Sequence, residues 1–159
     1  MLKDKIKNLR SLKVIIKKLQ NKGKKIVFSN GCFDILHYGH VRYLEEAKKK
    51  GDILVVGINS DKSVKKLKGP KRPLVKQKDR LSLVAALESV DYVLLFKETS
   101  PLNVIKALRP DVLVKGADWN KPNIVGASFI LSYGGKVYTI KLIQGRSTTN
   151  LINNIAQKY

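Results

Sequence analysis

The sequence predicts an α/β fold in which about five parallel strands form a doubly wound sheet with helices on both faces. Short apolar segments alternate with segments that have helical spacing or helix-capping residues, as consecutive βα units do. The expected strands are residues 26–28, 53–58, 92–96, 112–115 and 137–142. Ligands of such sheets bind beyond the carboxyl ends of the strands, so the turns that follow the strands form the candidate site.

Helices are expected between and after these strands. One begins near Gly39, and others cover about residues 79–89, 101–108, 124–133 and 148–157. Ser100 and Ser147 are expected to be N-caps, because a serine oxygen can accept a hydrogen bond from the first turn of a helix. The lysine-rich residues 59–78 are predicted to form a long polar loop.

Residues 1–22 are predicted to form a basic amphipathic helix in front of a core that spans residues 25–157. The apolar positions of this helix have helical spacing: Leu9, Leu12, Ile15, Ile16 and Leu19. Such a helix can cover the sheet or form a subunit contact, which leaves a homodimer open. A length of 159 residues predicts one domain, residues 1–159.

The composition predicts a globular protein of the cytoplasm rather than a membrane or secreted one. No apolar run approaches the ~20 residues that span a bilayer, and the N-terminus lacks the apolar core of a signal peptide. The single cysteine, Cys32, allows no intrachain disulfide. The net charge of +20 is compatible with a nucleic-acid partner. However, only six of the 32 basic residues are arginine, and a general lysine bias is the favoured interpretation, so no nucleic acid is expected.

The turn after the first strand carries the densest set of candidate residues. It reads Gly31-Cys32-Phe33-Asp34-Ile35-Leu36-His37-Tyr38-Gly39-His40 and contains both histidines of the chain. A helix that begins near Gly39 would direct free N–H groups and its positive dipole end towards an anion, and His37 and His40 would share one side. Two ordinary polar residues at a helix start are the alternative. The candidate binding residues in this segment are Asn30, Gly31, Cys32, Phe33 and Gly39.

Two further turns should meet this one at the same edge of the sheet. After the fourth strand the chain reads Lys115-Gly116-Ala117-Asp118-Trp119, and after the fifth it reads Gly145-Arg146-Ser147-Thr148-Thr149. A cation and three hydroxyl groups at a helix start suit a phosphate, although a plain serine cap is the alternative. Trp119 is equally compatible with a core anchor or the wall of a nucleotide pocket.

These three motifs resemble the HxGH nucleotidyltransferase superfamily. The resemblance implies a Rossmann-like fold and a reaction that joins a nucleoside triphosphate to a phosphorylated acceptor, with release of pyrophosphate. It implies that His37 and His40 bind the triphosphate and that Lys68 and Arg80 contact phosphates, with Lys66 and Lys71 as alternatives to Lys68. It further implies nucleotide contacts for the following residues: Lys115, Gly116, Asp118, Trp119, Arg146, Ser147, Thr148 and Thr149. Mg²⁺ would bridge phosphates with few protein ligands, and no covalent intermediate is implied.

Within the superfamily, the motifs are most similar to the adenylyltransferases of bacterial ADP-heptose synthesis. This resemblance implies ATP and D-glycero-β-D-manno-heptose 1-phosphate as substrates, with a separate kinase supplying the sugar phosphate. Glycerol-3-phosphate cytidylyltransferase is the close alternative. Its Arg-Thr-Glu-Gly pattern is replaced here by Leu142-Ile143-Gln144-Gly145, whereas Trp119 favours it. A basic nucleic-acid-binding domain is the alternative from another class.

Overall fold

A computed structural model describes residues 1–117 and 123–159. The strands are β1 (Ile26–Gly31), β2 (Ile53–Asn59), β3 (Tyr92–Phe96), β4 (Val112–Gly116) and β5 (Lys136–Ile140). The helices are α1 (Leu2–Lys5), α2 (Leu9–Asn21), α3 (Tyr38–Lys48), α4 (Asp61–Lys68), α5 (Gln77–Ala85), α6 (Leu102–Leu108), α7 (Ala127–Ser132) and α8 (Thr148–Lys158). No helix in these described ranges is long and apolar enough to cross a membrane.

The five strands form one parallel sheet in the order β3-β2-β1-β4-β5, which confirms the predicted fold class. Strand β1 is central and pairs with β2 on one side and β4 on the other, with Val27 opposite both Leu54 and Val112. The order changes direction at β1. A crevice therefore opens beyond its carboxyl end, which is where ligands bind in sheets of this type.

Side chains alternate across the sheet, and each face has its own apolar cluster. Val27 of β1 packs with Leu44 of α3 and Val84 of α5, while Phe28 packs on the other face with Leu12 of α2 and Ile105 of α6. Helices thus cover both faces. The core fixes β1 from both sides, so the turn that follows it is held on a rigid support.

The N-terminal segment differs from the single helix predicted for residues 1–22. Helices α1 and α2 are separated by a short extended stretch in which Ile6 bridges to Val93 and the Lys7 N–H donates to the Val93 carbonyl over 2.9 Å. Asn8 then caps α2 by accepting from the Ser11 N–H over 2.8 Å. The segment therefore covers part of the edge strand β3. Helix α2 buries Leu12 and Ile16, so the apolar face of the predicted amphipathic helix packs on the domain.

The prediction of a loop over residues 59–78 is wrong, because α4 occupies its first half. Ser60 is the N-cap and accepts from the Ser63 N–H over 3.2 Å. Only Ser63 and Val64 of this helix are buried. The lysine-rich segment therefore lacks the stripe of apolar residues by which a helix is predicted from sequence. The other boundaries shift by a few residues: α5 begins at Gln77, α6 is preceded by Pro101 rather than Ser100, and α7 covers only Ala127–Ser132.

Candidate functional site

A cavity of about 680 Å³ lies at the carboxyl edge of the sheet, where the turns after β1, β4 and β5 meet. Its lining includes all but three of the predicted site residues: Asn30, Gly31, Cys32, Phe33, His37, Gly39, His40, Lys68, Lys115, Gly116, Arg146, Ser147, Thr148 and Thr149. Arg80 does not line it, and Asp118 and Trp119 lie outside the described residues. The structure thus brings the motifs together, while the role of each residue stays a prediction.

The two histidines form a stacked pair at the start of α3. Their ring centroids are 3.8 Å apart and their planes differ by 23°, and the Phe33 ring lies 5.1 Å from that of His40. The Nδ1 atoms of both rings are buried and have no hydrogen-bond partner within the described residues. Buried polar atoms without a partner cost free energy, so a ligand that bonds to them would be stabilised.

Both histidines are neutral near pH 7 in the free protein. Burial, assisted by the neighbouring His37, lowers the pKa of His40 to about 4. Burial also lowers the pKa of His37, and the Arg146 guanidinium lowers it further. Each neutral imidazole keeps one N–H that can donate to an anion, and a bound anion would raise both pKa values.

Gly39 allows α3 to approach the turn before α8. A Cβ atom at this position would lie 3.0 Å from the His37 ring and 3.1 Å from the Arg146 carbonyl oxygen. Such distances are tighter than ordinary carbon contacts, and the Arg146 carbonyl is backbone that yields little. Because Gly39 has no side chain, the histidine turn can lie against the β5–α8 turn.

The start of α8 supplies a second set of donors. Ser147 is the N-cap and accepts from the Asn150 N–H over 3.1 Å, so the expected cap is present. The first N–H groups of a helix have no partner inside the helix, and together with Arg146 they favour negative charge. The cap and the phosphate-binding hypothesis are compatible, because the backbone N–H groups and the cation are separate from the serine oxygen.

Three cationic side chains from the segment between β2 and β3 lie near Cys32. Burial raises the pKa of the Cys32 thiol above its usual range, while Lys68, Arg80 and Arg72 act against that rise. The thiol therefore stays protonated near neutral pH, which agrees with its interpretation as a small lining residue rather than a nucleophile. Lys68 lies at the end of α4, is exposed and lines the cavity, whereas Lys66 and Lys71 do not line it.

Asp34 and Arg72 line the cavity but were not among the predicted site residues. The Asp34 carboxylate is 1% exposed and accepts from the Arg72 Nε over 2.5 Å and from the backbone N–H groups of Leu74 and Val75 over 2.8 and 2.9 Å. Burial opposes ionisation, yet these three donors hold the pKa of Asp34 below its usual range. An aspartate inside an otherwise apolar turn was the signal available in the sequence.

The Arg80 side chain bonds to protein groups and does not line the cavity. Its side chain is fully buried, with Nη1 donating to the Cys32 carbonyl, Nε to the Val75 carbonyl over 2.9 Å and Nη2 to Asp61 over 2.8 Å. These bonds tie α5 to the turn after β1. The phosphate contact of Arg80 stays a prediction, and the contacts present stabilise the turn after β1.

Lys115, near the carboxyl end of β4, also lines the cavity. Lys115 Nζ lies 3.4 Å from the Asn30 carbonyl oxygen, and the buried Asn30 Oδ1 has no hydrogen-bond partner in the described part of the chain. Apolar side chains rim the same wall: Val125, Leu142 and Ile143. Apolar walls with a few polar atoms are typical of sites for small organic ligands.

The described residues do not form a metal centre. They contain no group of three or more histidine, cysteine, aspartate or glutamate side chains that could hold an ion. Asp34 lines the cavity, but its carboxylate is already bonded to three protein donors.

Comparison with known proteins adds the family. A model of the cytidylyltransferase-like family matches residues 28–128. The chain belongs to the cytidylyltransferase-like family. The predicted membership of the HxGH nucleotidyltransferase superfamily is thereby confirmed.

Curated relatives in this family are longer proteins. Residues of this chain are 52% identical over 155 positions to Bifunctional protein HldE of Geobacter metallireducens and 49% identical over 155 positions to that of Syntrophotalea carbinolica. In both cases the match covers 98% of this chain and 32% of the relative. The chain thus spans about a third of the length of the relatives that it matches.

Solved structures support the same fold. The lipopolysaccharide core biosynthesis protein from Thermoplasma volcanium is 33% identical, with a TM-score of 0.63 over 76% of this chain and 98% of that one. A pantoate-beta-alanine ligase from Francisella tularensis has the same TM-score over 96% of this chain and 76% of that one, at 16% identity. The second likeness concerns the fold alone.

Proposed function

We propose that the chain transfers AMP from ATP to D-glycero-β-D-manno-heptose 1-phosphate and releases pyrophosphate. The observation that carries nucleotidyl transfer is the stacked His37–His40 pair, whose buried Nδ1 atoms have no hydrogen-bond partner among the described residues and which has Arg146 close to His37. The motifs support the heptose substrate, as do relatives that bear the name HldE. An adenylyltransferase of ADP-heptose synthesis would belong to the lipopolysaccharide pathway.

The chemistry needs positioning rather than a strong base. The acceptor phosphate is already an anion at neutral pH, so one of its oxygens attacks the α-phosphorus of ATP. The new phosphorus–oxygen bond forms as the bond to the bridging oxygen breaks and pyrophosphate leaves. Repulsion between the two anions is the main obstacle, and fixed donors that face the developing charge reduce it.

The residues of the cavity suit these tasks. His37 and His40 would donate to triphosphate oxygens as charge moves onto the leaving group, while Arg146 and Lys68 would neutralise phosphates. Mg²⁺ supplies further charge neutralisation when it enters with the triphosphate, and the described residues offer it no dedicated site. Asp118 and Trp119 stay candidates for nucleotide contacts.

A matrix of substrates tests the proposal. Pyrophosphate release is measured for the four nucleoside triphosphates against heptose 1-phosphate, other sugar 1-phosphates and glycerol 3-phosphate. We expect turnover with ATP and heptose 1-phosphate, and ADP-heptose as the product. Efficient formation of CDP-glycerol would instead establish the glycerol-3-phosphate cytidylyltransferase alternative.

The supply of the acceptor is part of the proposal. We propose that a kinase activity that does not reside in this nucleotidyltransferase-type sheet makes the 1-phosphate. This chain given ATP and heptose 7-phosphate should form no sugar bisphosphate. Phosphorylation of the 7-phosphate would refute this division of labour.

The nucleic-acid alternative has its own test. A gel shift with DNA and RNA in graded salt should show no retained complex at physiological ionic strength, because screening weakens contacts that rest on charge alone. A complex that persists there would favour the alternative. Light scattering on the same sample would decide between a monomer and the homodimer left open by the amphipathic helix.

A further inference from the structure

The cavity carries two cationic groups on opposite sides of the histidine turn. Strand β2 lies on one side of β1, and β4 and β5 lie on the other. The segment after β2 carries Lys68 and Arg72, which act on Cys32, whereas the segment after β5 carries Arg146, which acts on His37. A reaction between two anions needs two such places.

Arg72 is held in a defined position with part of its guanidinium unused. Its side chain is 17% exposed and lines the cavity, and Nε donates to Asp34. Neither terminal nitrogen, Nη1 nor Nη2, has a hydrogen-bond partner among the described residues. Two parallel N–H groups on a fixed guanidinium match the oxygens of a phosphate.

Asp34 fixes both the side chain and the backbone of this segment. Besides the Arg72 Nε, it accepts from the N–H groups of Leu74 and Val75, which are two and three residues further along. The buried carboxylate therefore fixes the guanidinium of Arg72 and also the backbone just after it. An arginine on a loop loses less entropy on binding a ligand when such contacts have already ordered it.

The in-line geometry of the reaction indicates which cationic group faces which substrate phosphate. This assignment rests on the proposed function. In phosphoryl and nucleotidyl transfer, the attacking and leaving oxygens lie roughly in line on opposite sides of the phosphorus. The leaving pyrophosphate is assigned to the side with His37, His40 and the start of α8. The attacking phosphate then approaches from the side that carries Arg72.

We propose that Arg72 binds the phosphate of the acceptor through its two terminal nitrogens and that Asp34 is the positioning residue that presents them. Arg72 would then recognise the acceptor by its phosphate monoester, and other residues would recognise its sugar or polyol. Arg72 would contribute to binding of the second substrate and little to binding of ATP.

The test separates the two substrates. For Arg72→Ala we expect the KM for heptose 1-phosphate to rise about 10- to 100-fold, the range for loss of a charge-assisted pair, with the KM for ATP changed less than about twofold. Arg72→Lys should fall in between, because an ammonium cannot form both parallel bonds. Arg10→Ala removes the same charge at an exposed position on α2 and should leave both KM values unchanged.

A double-mutant cycle tests the positioning role of Asp34. Asp34→Asn should raise the acceptor KM by itself, yet add little in the Arg72→Ala background, because both changes remove the same contact. A purely structural role would instead lower kcat and stability equally in both backgrounds. Should Asp34→Asn not fold, Arg72→Ala and Arg72→Lys still decide the role of Arg72.

The outcomes distinguish this inference from the proposed function. A wild-type protein that turns over glycerol 3-phosphate but not heptose 1-phosphate refutes the proposed acceptor, and the same variants are then titrated with glycerol 3-phosphate, which carries the same phosphate monoester. A wild-type protein active with either acceptor, whose Arg72→Ala variant keeps the acceptor KM or loses affinity for ATP instead, overturns the inference. A wild-type protein inactive with every acceptor overturns both.

Discussion

The imidazole rings of His37 and His40 are stacked with their centroids 3.8 Å apart, so the site holds two titratable groups face to face. Two imidazolium ions could not share this position without strong repulsion, and the lowered pKa values of both rings reflect burial and the charges nearby. The pair is therefore a neutral donor site. An anionic ligand would bond to it without first displacing a counter-ion.

Replacement of His40 should affect turnover more than binding. We expect His40→Ala to lower kcat by about 10²–10³-fold, because loss of one preorganised donor to developing charge costs that much. Affinity for ATP, measured by calorimetry, should change far less, since the contact strengthens in the transition state. His37→Ala should show the same pattern to a smaller degree.

The exposed Tyr38 offers a matched control on the same turn. Tyr38→Ala should leave kcat close to that of the wild-type protein. Near-normal turnover in a folded His40→Ala protein would show that the histidine pair does not act on the leaving group.

The depressed pKa of His40 makes stability depend on pH. Well above pH 6.5 the ring is neutral in both the folded and the unfolded chain, so the pH dependence of the free energy of unfolding has no contribution from it. As the pH falls from about 6.5 towards about 4, the unfolded chain binds a proton that the folded protein does not. Stability should therefore decrease through this window, by at most about 3.4 kcal/mol at 1.36 kcal/mol per pKa unit.

Urea denaturation at a series of pH values measures this loss. His40→Gln cannot bind the proton in either state, so its stability curve should be flatter between pH 6.5 and 4. Parallel curves for the two proteins would show that another group causes the dependence. A further decrease below about pH 4 is expected from Asp34, whose lowered pKa contributes stability that is lost on protonation.

Lys68 should matter for activity and not for stability. The side chain is exposed at the end of α4 and lines the cavity, so Lys68→Ala should slow turnover by about tenfold or more through loss of a phosphate contact. Its melting temperature should change by no more than the usual surface substitution. Lys62→Ala, on the same helix but away from the cavity, provides the control for lost charge. A loss of stability with full activity would make Lys68 structural.

Arg80 should show the reverse pattern. Arg80→Met removes donors from Asp61 and from the Cys32 and Val75 carbonyl groups, and we expect the free energy of unfolding to fall by roughly 3 kcal/mol. Chemical denaturation measures it, with the exposed Lys78→Met on the same helix as control. A variant with unchanged stability and a selective loss of ATP affinity would instead support the predicted phosphate contact of Arg80.

The sequence predicted the sheet because its strands are continuous apolar runs, and the observed strands lie within a few residues of the expected ones. Helix α4 was not predicted because its sequence is rich in lysine and it buries only Ser63 and Val64. Propensity and capping at Ser60 carried that information, while hydrophobic periodicity did not.

The site was predictable where a local pattern defines it and less so where it depends on contacts between distant segments. His37, Gly39 and His40 belong to one turn, so the sequence was sufficient to place them together. Arg72 reaches Asp34 across 38 positions of the chain, and Arg80 is buried by contacts with Cys32 that are equally remote. Such pairings depend on how the segment between β2 and β3 folds back onto the turn after β1, which no local pattern records.

Helix α8 carries part of the cavity wall at its start yet buries none of its residues in the core. An element with so little buried surface opens locally at a free energy well below that of global unfolding. A triphosphate bound by Arg146 and the first turn of α8 would stabilise the closed helix by mass action and slow the exchange of its amide hydrogens with solvent. Substrate affinity in this protein would then include the free energy of ordering its last helix, so changes in the outward-facing residues of α8, such as Ile155, could tune affinity without contact to any substrate.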